Sequence, residues 1–401
     1  MLVKLSGGLS ITDKIEKSNH HRNNTKCVHA GKIYDETGLG VNTPIFASTA
    51  HMYPNPKDEI RYPRSYNIPT QTAVADKIRH LEGGAAGLVL SSGMAAITTV
   101  LFGLLKKGDH AVFQSGLYGG TQHFIDSELE RFGIENCYLH SNEVADFDNA
   151  INDNTKVIYV ESPTNPLLGI IDLKGIAKLG KDHDIITIMD NTFATPINQN
   201  PLMLGIDIVI HSGTKYLNGH SDICCGAVVC SDEIMKNVLP IAVNHGGVLD
   251  AHACYLLERG MKTLGLRVAQ QNNNAQKIAK FLNEHPKIKC VYYPGLPEHP
   301  GHNIAKRQMH GGFGGMLSFE LSCEPAAAHE FAQNLNIIAS AVSLGGVESI
   351  LCFPAETSHK ELTVEQRRIQ GISDSLIRLS VGIEDVEDLI DDIENGLSLI
   401  K

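Results

Sequence analysis

The chain has 401 residues, of which 42% are hydrophobic and 20% are charged, and its formal net charge is −11. These values predict a globular protein with two domains, or one large domain and one small one. The acidic balance argues against a nucleic-acid partner. No apolar run approaches the ~20 residues that a membrane-spanning helix needs. The nine cysteines and 19 histidines are scattered, without a CxxC pair or zinc-ligand spacing, which predicts a reducing cytoplasm, no disulfides and no metal site.

Residues 1–65 are expected to form an arm that contacts a neighbouring subunit. The polar stretch from Met1 to Asn24 lacks the apolar core of a signal peptide, and the segment 25–70 is rich in proline, which is typical of an arm or lid. The segment contains Arg61, Tyr62 and Arg64, and arginines form bidentate bonds to phosphate. Two exposed arginines without a ligand are the alternative interpretation.

Residues 66–265 are expected to form a large α/β domain, because predicted strands and helices alternate there. An alternation of this kind indicates a mainly parallel sheet covered by helices. The segment 224–230 is expected to return as a strand that can be antiparallel, because few residues separate it from the preceding strand. The helices are predicted at 70–82, 91–105 and from 166 to about 181, and the strands at 87–90, 111–113, 157–160, 185–189, 206–210 and 224–230.

Residues 266–401 are expected to form a smaller α+β domain. A long helix is predicted from Arg259 to Asn283, across the proposed boundary near residue 265. Strands are predicted at 290–293, 316–320 and 375–380, and a final helix at 386–399.

The strongest chemical signal follows the apolar strand Ile206 to Ile210. Ser212, Thr214 and Lys215 come just past its end, where open α/β sheets bind ligands. A lysine can attack a carbonyl carbon there, and the hydroxyls can hold a phosphate. Pyridoxal 5'-phosphate (PLP) presents both groups. A surface lysine after a strand, with two turn hydroxyls beside it, is the alternative.

Other candidates also follow predicted strands. Gly93 and Met94 open a helix whose N-terminus can cradle a phosphate, and Tyr118 lies on a glycine-rich turn from which it can stack on a heteroaromatic ring. Asn165 can bond a ring oxygen. Asp190 lies 25 residues before Lys215 (215 − 190), which leaves room for one crossover. It can pair with a protonated pyridine nitrogen, and a helix-capping role is its alternative.

Arg378 lies within the predicted strand at 375–380. A buried arginine needs an anionic partner, and a substrate carboxylate would serve. A structural salt bridge is the competing interpretation.

Taken together, these signals resemble the Cys/Met-metabolism family of fold-type I PLP enzymes, which includes cystathionine γ-synthase, cystathionine β- and γ-lyases and methionine γ-lyase. The resemblance extends from about Thr25 to Leu399. Its motifs are SSGMAA, YGGT, ESPTNP, DNTFATP, SGTKYLNGHSD, YPGLPEHPGH, AVSLGGVES and GISDSLIRLSVG.

The resemblance implies a role for each candidate. Lys215 would hold PLP covalently and serve as the base, Tyr118 would stack on the ring and protonate the leaving sulfur, and Asp190 would pair with the pyridine nitrogen. Asn165 would bond the phenolic oxygen of the cofactor. The phosphate would be bound by four residues: Gly93, Met94, Ser212 and Thr214. Tyr62 and Arg64 would reach the phosphate of a neighbouring subunit, which implies a homotetramer built from two active dimers. Ser343 and Arg378 would bind the substrate carboxylate.

Three departures from the family pattern bear on the substrate. The run from Tyr62 to Thr70 has one extra residue, near Ile68, which affects the pose of Arg64. Gly120 replaces the cysteine typical of methionine γ-lyases. Val342 replaces a glutamate that γ-lyases and γ-synthases often carry, so the pocket leans towards a β-lyase or a methionine-lyase-like enzyme.

The sequence therefore predicts a PLP-dependent carbon–sulfur lyase that acts on cystathionine or a related sulfur amino acid and releases a thiol, ammonia and a 2-oxo acid. Methionine γ-lyase and cystathionine γ-synthase remain alternatives, which only the pocket around Tyr53, Gly120 and Val342 would separate. A PLP-bound regulator without turnover is disfavoured by the intact catalytic set.

Overall fold

Two β-sheets organise the chain, and the computed structural model describes residues 21–35, 37–360 and 362–400. The first twenty residues of the predicted arm therefore lie outside the described part. The larger sheet contains β1 Ala86–Leu90, β2 His110–Gln114, β3 Glu135–Leu139, β4 Thr155–Glu161, β5 Ile186–Asp190, β6 Ile208–His211 and β7 Gly226–Cys230.

The strand order of this sheet is β1-β7-β6-β5-β4-β2-β3. The pairs from β3 to β6 are parallel, and β7 runs antiparallel to both of its neighbours, β1 and β6. The mainly parallel sheet and the antiparallel return strand are thus confirmed. Strand β3 was not predicted, because its sequence Glu-Asn-Cys-Tyr-Leu lacks the continuous apolar run of its neighbours.

Helices cover both faces of the larger sheet, because alternate residues of each strand point to opposite faces. Ile188, Ile208 and Ile210 pack in the core formed with α3 and α8, whereas Met189 packs with α6 on the other face. The helices in this part of the chain are α1 Asn23–His29, α2 Pro69–Glu82, α3 Gly93–Leu104, α4 Gly119–Phe124, α5 Val144–Ala150, α6 Leu173–His183, α7 Thr195–Asn198, α8 Asp232–His245 and α9 Ala251–Met261.

The second sheet has five strands in the order β10-β11-β12-β9-β8. They are β8 Ile288–Tyr292, β9 Met316–Leu321, β10 Ala339–Ser340, β11 Ile350–Cys352 and β12 Leu376–Ser380. Helices α10 and α14 pack with α12 over one apolar core. The helices of this part are α10 Leu264–Glu284, α11 His302–Gln308, α12 Pro325–Gln333, α13 Val364–Ile369 and α14 Val386–Leu399. The predicted α+β arrangement agrees with this architecture, and α14 has the predicted bounds.

The prediction of one long helix that starts at Arg259 is wrong about the continuity of that helix. The structure has two helices, α9 and α10, separated at Lys262 and Thr263. The break is held by Arg267, whose guanidinium donates to Gly260 O at 2.9 Å and whose Nε donates to the Thr263 hydroxyl at 3.1 Å. Helix α10 begins one residue before the predicted domain boundary at 265, and the three-part division at 65 and 265 stays a prediction.

Shorter turns complete the connections. One-turn 3₁₀ helices lie at Pro63–Ser65, Glu130–Phe132, Pro201–Leu204 and Pro354–Glu356, and a π-helical turn lies at Ile125–Leu129. All nine cysteines are free thiols. Among the described residues, no helix combines the length and apolarity that crossing a membrane requires.

Candidate active site

Lys215 lies in the turn that follows β6, at the carboxyl edge of the parallel strands. The turn is closed by Lys215 N–H donating to Ser212 O at 3.2 Å. The Lys215 side chain reaches the loop between β10 and β11, where Nζ donates to the Ser343 hydroxyl at 2.8 Å. Burial, and then the positive charge of Arg378, lower the pKa of Lys215 below its usual value. The geometry therefore places an amine with increased free-base character at the predicted ligand edge.

Arg378 holds the two parts of the site together. It lies in β12, is only 5% exposed, and donates from Nη1 to Asn165 Oδ1 at 2.9 Å and from Nη2 to Ser343 O at 3.1 Å. Ser343 has a φ of 94°, a backbone conformation that is strained for a serine and that is typical of functional sites. These two partners are neutral oxygens, and no salt bridge involves Arg378 among the residues that the structure describes, which argues against the alternative of a structural salt bridge.

Asp190 ends β5 next to this cluster. Its Oδ1 accepts the Thr192 hydroxyl at 2.5 Å and the Thr192 N–H at 3.0 Å. Removal from water raises the pKa of Asp190, and the Thr192 bonds and nearby His211 oppose that rise. His211 is itself held by buried Glu82 at 2.7 Å. A fixed carboxylate in this position suits a cationic ring nitrogen.

A glycine-lined cradle lies at the start of α3. The Ser92 hydroxyl caps this helix by accepting the N–H of Ala95, and the N–H groups of Gly93 and Met94 belong to the first helical turn, which has no intrahelical acceptor. A Cβ atom on Gly93 would lie 2.9 Å from Cβ of Ser212. Only glycine therefore lets this helix end approach the Ser212 turn, and the combined donors suit a phosphate.

Thr214, a predicted phosphate contact, also forms two hydrogen bonds within the protein. Its hydroxyl donates to Cys225 O at 3.1 Å and accepts Cys225 N–H at 2.9 Å. These bonds join the Lys215 turn to the segment that leads into β7. The turn is therefore fixed from both sides, which positions Lys215.

Tyr118 begins the turn before α4, and 48% of its surface is exposed. Its backbone N–H donates to both carboxyl oxygens of Glu161, at 3.1 and 3.3 Å. A Cβ atom on Gly119 would collide with the carbonyl oxygen of Ser358, and one on Gly120 would lie 2.6 Å from the Tyr118 ring. The two glycines therefore let the turn pack closely while the Tyr118 ring stays accessible.

Tyr62 and Arg64 lie on the arm, away from the hydrogen bonds that join the other candidates. Arg64 Nη1 donates to Val243 O at 2.9 Å, and its guanidinium carbon lies 5.8 Å from the centre of the Tyr62 ring. Arg64 lies in the 3₁₀ turn Pro63–Ser65, which is followed by Tyr66 in the left-handed conformation (φ 59°). Their predicted role towards a neighbouring subunit stays a prediction.

The structure adds residues that the sequence analysis did not single out. Glu161 pairs in register with Asp190, and Thr192 donates two hydrogen bonds to Asp190. The carbonyl oxygen of Ser358 packs against Gly119 in the Tyr118 turn, and the Ser358 hydroxyl bonds to Nδ1 of His359. Glu161 had a usable signal, because it ends an apolar strand just as Asp190 does. The position of Ser358 and His359 depends on tertiary contacts and had no signal in the sequence.

Several features fit PLP. The amine of Lys215 suits its aldehyde, the helix end and hydroxyls suit its phosphate, and Asp190 suits its pyridine nitrogen. The Asn165 amide oxygen is used by Arg378, which leaves the amide nitrogen as the donor for the ring oxygen. The arrangement defines a PLP-dependent enzyme of fold type I.

Comparison with known proteins agrees with this class. A sequence profile of the family described as Cys/Met metabolism PLP-dependent enzyme matches residues 24–398, and the chain belongs to that family. It is 44% identical to a cystathionine γ-lyase of Bacillus subtilis over 94% of this chain and 99% of that one. It is 44% identical to a cystathionine β-lyase of Lactococcus lactis over 93% and 98% of the two chains.

Two further similarities add to this picture. An L-methionine γ-lyase of Fusobacterium nucleatum is 41% identical over 94% of this chain and 98% of that one. The crystal structure of a cystathionine γ-lyase from Lactobacillus plantarum, complexed with L-serine, superposes with a TM-score of 0.91 at 41% identity and covers 95% of this chain and 99% of that chain. The fold and the cofactor class predicted from sequence are thus confirmed.

Proposed function

We propose that the protein is a PLP-dependent carbon–sulfur lyase that cleaves cystathionine or a closely related sulfur amino acid. The observation that carries this proposal is the contact of Lys215 with Ser343, next to the guanidinium of Arg378. This contact supports the roles of Lys215 as the base and of Arg378 as the group that binds the substrate carboxylate. Relatives that carry the same family profile are named as lyases of cystathionine and methionine.

Each residue contributes a separate physical effect. Arg378 binds the substrate carboxylate, because its guanidinium can form two charge-assisted hydrogen bonds, and Ser343 adds a hydroxyl. PLP, when bound, accepts electron density from the substrate α-carbon and so acidifies its proton. Lys215, whose pKa is lowered by burial and by Arg378, takes that proton as a general base. Tyr118 lies in an accessible position from which its hydroxyl can protonate the departing sulfur.

The remaining candidates hold the cofactor. Asp190 would pair with the pyridine nitrogen and Asn165 would donate to the phenolic oxygen. Four residues would bind the phosphate through N–H groups and hydroxyls: Gly93, Met94, Ser212 and Thr214. The free state of all nine cysteines supports a cytoplasmic location, where thiols stay reduced.

The arm supports a dimeric site completed by a second copy of the chain. Met52 is 96% exposed, Leu39 is 82% exposed and Val41 is 75% exposed, and apolar patches of this kind mark interaction surfaces. Tyr62 and Arg64 lie on the same arm, so docking of the arm on a second copy would bring them to that copy's phosphate cradle. A homotetramer would follow from the pairing of two such dimers.

The proposal is tested by incubating the PLP-loaded protein with cystathionine and identifying both products. Pyruvate with homocysteine would support cleavage at the β-carbon, and 2-oxobutyrate with cysteine would support cleavage at the γ-carbon. Either pair supports the lyase assignment. The absence of any 2-oxo acid from cystathionine, methionine and cysteine would overturn it.

Methionine γ-lyase is the second candidate. Val342 stands beside Ser343 and is 67% exposed, so it offers an apolar wall where a distal ammonium group would need a carboxylate. This feature favours a β-lyase or an apolar substrate such as methionine. A kcat/KM for methionine above that for cystathionine would favour this candidate over the first.

A further inference from the structure

Glu161 is a buried carboxyl group next to the candidate cofactor site. It is the last residue of β4, is 6% exposed, and lies in register with Asp190 on the neighbouring parallel strand. Its backbone N–H donates to Gln114 Oε1 at 2.8 Å, which fixes its main chain. No ion pair among the described residues involves Glu161. The carboxyl group therefore needs a role other than a salt bridge.

Among the residues that the structure describes, the one hydrogen-bond donor to its carboxyl oxygens is the N–H of Tyr118, at 3.1 and 3.3 Å. This N–H belongs to the residue that precedes the first residue of α4. The carbonyl oxygen of Tyr118 accepts the N–H groups of Thr121 and Gln122 in α4. The bond to Glu161 therefore ties the start of the Tyr118 turn to the end of β4, and so constrains where the ring can stack.

The carboxyl groups of Glu161 and Asp190 differ in their partners. Asp190 accepts two hydrogen bonds from Thr192 and lies near His211. Glu161 accepts one shared N–H from Tyr118, and faces Asp190 from β5 and Tyr159 from its own strand. Two buried carboxylates that are adjacent do not both ionise readily. Burial and then the charge of Asp190 raise the pKa of Glu161 well above its usual range.

We propose that Glu161 is a positioning residue that works as a neutral acid: it holds the Tyr118 turn in place and leaves Asp190 as the negatively charged member of the pair, which would serve the pyridine nitrogen of PLP. This inference rests on the PLP site of the proposed function and adds a residue to it. Glu161 acts through Tyr118, so it affects how the cofactor ring is held rather than the chemistry itself.

The test measures PLP binding to the cofactor-free protein by titration, without any substrate. Glu161→Gln keeps the acceptor oxygen and the neutral state, so its dissociation constant at pH 7 is expected to stay within about threefold of wild type. Glu161→Leu removes the acceptor, and its PLP affinity is expected to fall at least about tenfold, which corresponds to ~1.4 kcal/mol. The matched control is Glu320→Gln, because Glu320 is a buried carboxyl group of the second sheet. Its PLP affinity should equal that of the wild type.

A pH series separates the neutral-acid role from simple packing. If Glu161 is neutral in the PLP-bound protein, PLP binding at high pH requires the Glu161 carboxylate to take up a proton. The PLP affinity of the wild type should therefore fall as the pH rises through the pKa that Glu161 has in the cofactor-free protein. The Gln variant cannot take up this proton and should show a shallower fall. Parallel pH profiles for wild type and Glu161→Gln would overturn the neutral-acid assignment.

A double-mutant cycle tests whether Glu161 acts through Tyr118. With Tyr118→Ala already present, Glu161→Leu should weaken PLP binding less than about twofold further. Additive losses would overturn the positioning role, and a Gln variant that binds PLP as weakly as the Leu variant would show that the negative charge is required. If the Leu variant does not fold, the Gln variant still decides between these outcomes. A protein that binds PLP as expected but cleaves no substrate would contradict the proposed function and leave this inference standing.

Discussion

The clamp around Arg378 and the N-terminal arm are two parts of one candidate site with opposite physical character. Arg378 is 5% exposed, and its hydrogen bonds connect two loops, Asn165 in the loop after β4 and Ser343 in the loop between β10 and β11. On the arm, Met52 is 96% exposed, and Arg64 finds its partner in the carbonyl oxygen of Val243. The contacts around Arg378 form within one chain, whereas the groups on the arm are proposed to act on a second copy of the chain.

This difference teaches which functions the single chain can perform. In the proposed function, substrate-carboxylate binding and proton transfer use buried, hydrogen-bonded groups of one chain. The proposed completion of the phosphate site uses residues of the arm, and so requires association. Mutations in the clamp should therefore act at every protein concentration, and mutations in the arm should act through the oligomer.

The largest effect is expected at Lys215. Lys215→Ala removes the base and the anchor for the cofactor, so kcat with the preferred substrate should fall at least about a thousandfold, within the range for loss of a general base. The free energy of unfolding should change by less than about 1 kcal/mol, as for most partly exposed positions. Steady-state kinetics and denaturant titration measure both quantities.

Lys178→Ala is the control for this variant, because Lys178 is an exposed lysine paired with Asp182 on α6. It should keep wild-type activity. Appreciable turnover in Lys215→Ala would contradict the assignment.

A large effect on substrate binding is expected at Arg378. Arg378→Ala removes a charge-assisted clamp with two hydrogen bonds, each worth about 1.5–3 kcal/mol, so KM should rise on the order of a hundredfold. Arg378→Lys should recover only part of the loss, because an ammonium group cannot form the bidentate contact. The measurement is the separation of kcat from KM.

Arg368→Ala is the matched control, since Arg368 is an exposed arginine in an i,i+3 ion pair with Glu365. It should leave KM unchanged. If Arg378→Ala lowered kcat at constant KM, the carboxylate-binding role would be refuted.

A smaller, concentration-dependent effect is expected on the arm. Replacing Leu39 and Val41 by serine removes apolar surface from a proposed interface, so the oligomer should dissociate at higher protein concentrations than the wild type. Analytical ultracentrifugation measures this shift, and activity should fall on dilution in parallel. Met203→Ser, at an exposed apolar site outside the arm, should not dissociate the oligomer. A monomeric wild-type protein with full activity would rule out the interface.

The smallest effect is a pH shift at Lys215. Burial and then Arg378 lower the pKa of Lys215, so its amine becomes a free base at a lower pH than an exposed lysine. Arg378→Gln removes one of these causes, and the midpoint of Lys215 labelling by an amine-reactive reagent in the PLP-free protein should move to higher pH. An unchanged midpoint would mean that Arg378 exerts no field on Lys215.

Much of the fold could be predicted because its strands are buried on both faces. The runs at 185–189 and 206–210 are largely apolar, and the polar residues that follow them mark the ligand edge, which led to Asp190 and Lys215. Strand β3 was missed because it lies at the sheet edge and is only partly buried. The break between α9 and α10 was missed because it depends on the distant contacts of Arg267.

The candidate site also contains residues that local sequence reveals and residues that depend on tertiary contacts. Lys215 and Asp190 could be found from strand ends alone, but the Ser343 contact joins residues 128 positions apart, and no local pattern encodes it. Glu161 obeyed the strand-end rule and was still missed, because a carboxyl group without a cation becomes informative only when the adjacent Asp190 and Tyr118 are located in space.

The most direct test of the account is to map where PLP binds. The purified, PLP-loaded protein is treated with borohydride, which makes the lysine–cofactor bond permanent, and is then digested and analysed by mass spectrometry. The account predicts that the cofactor is found on the peptide that contains Lys215, at a ratio near one per chain. Cofactor on another lysine, or no cofactor on any peptide, would contradict it.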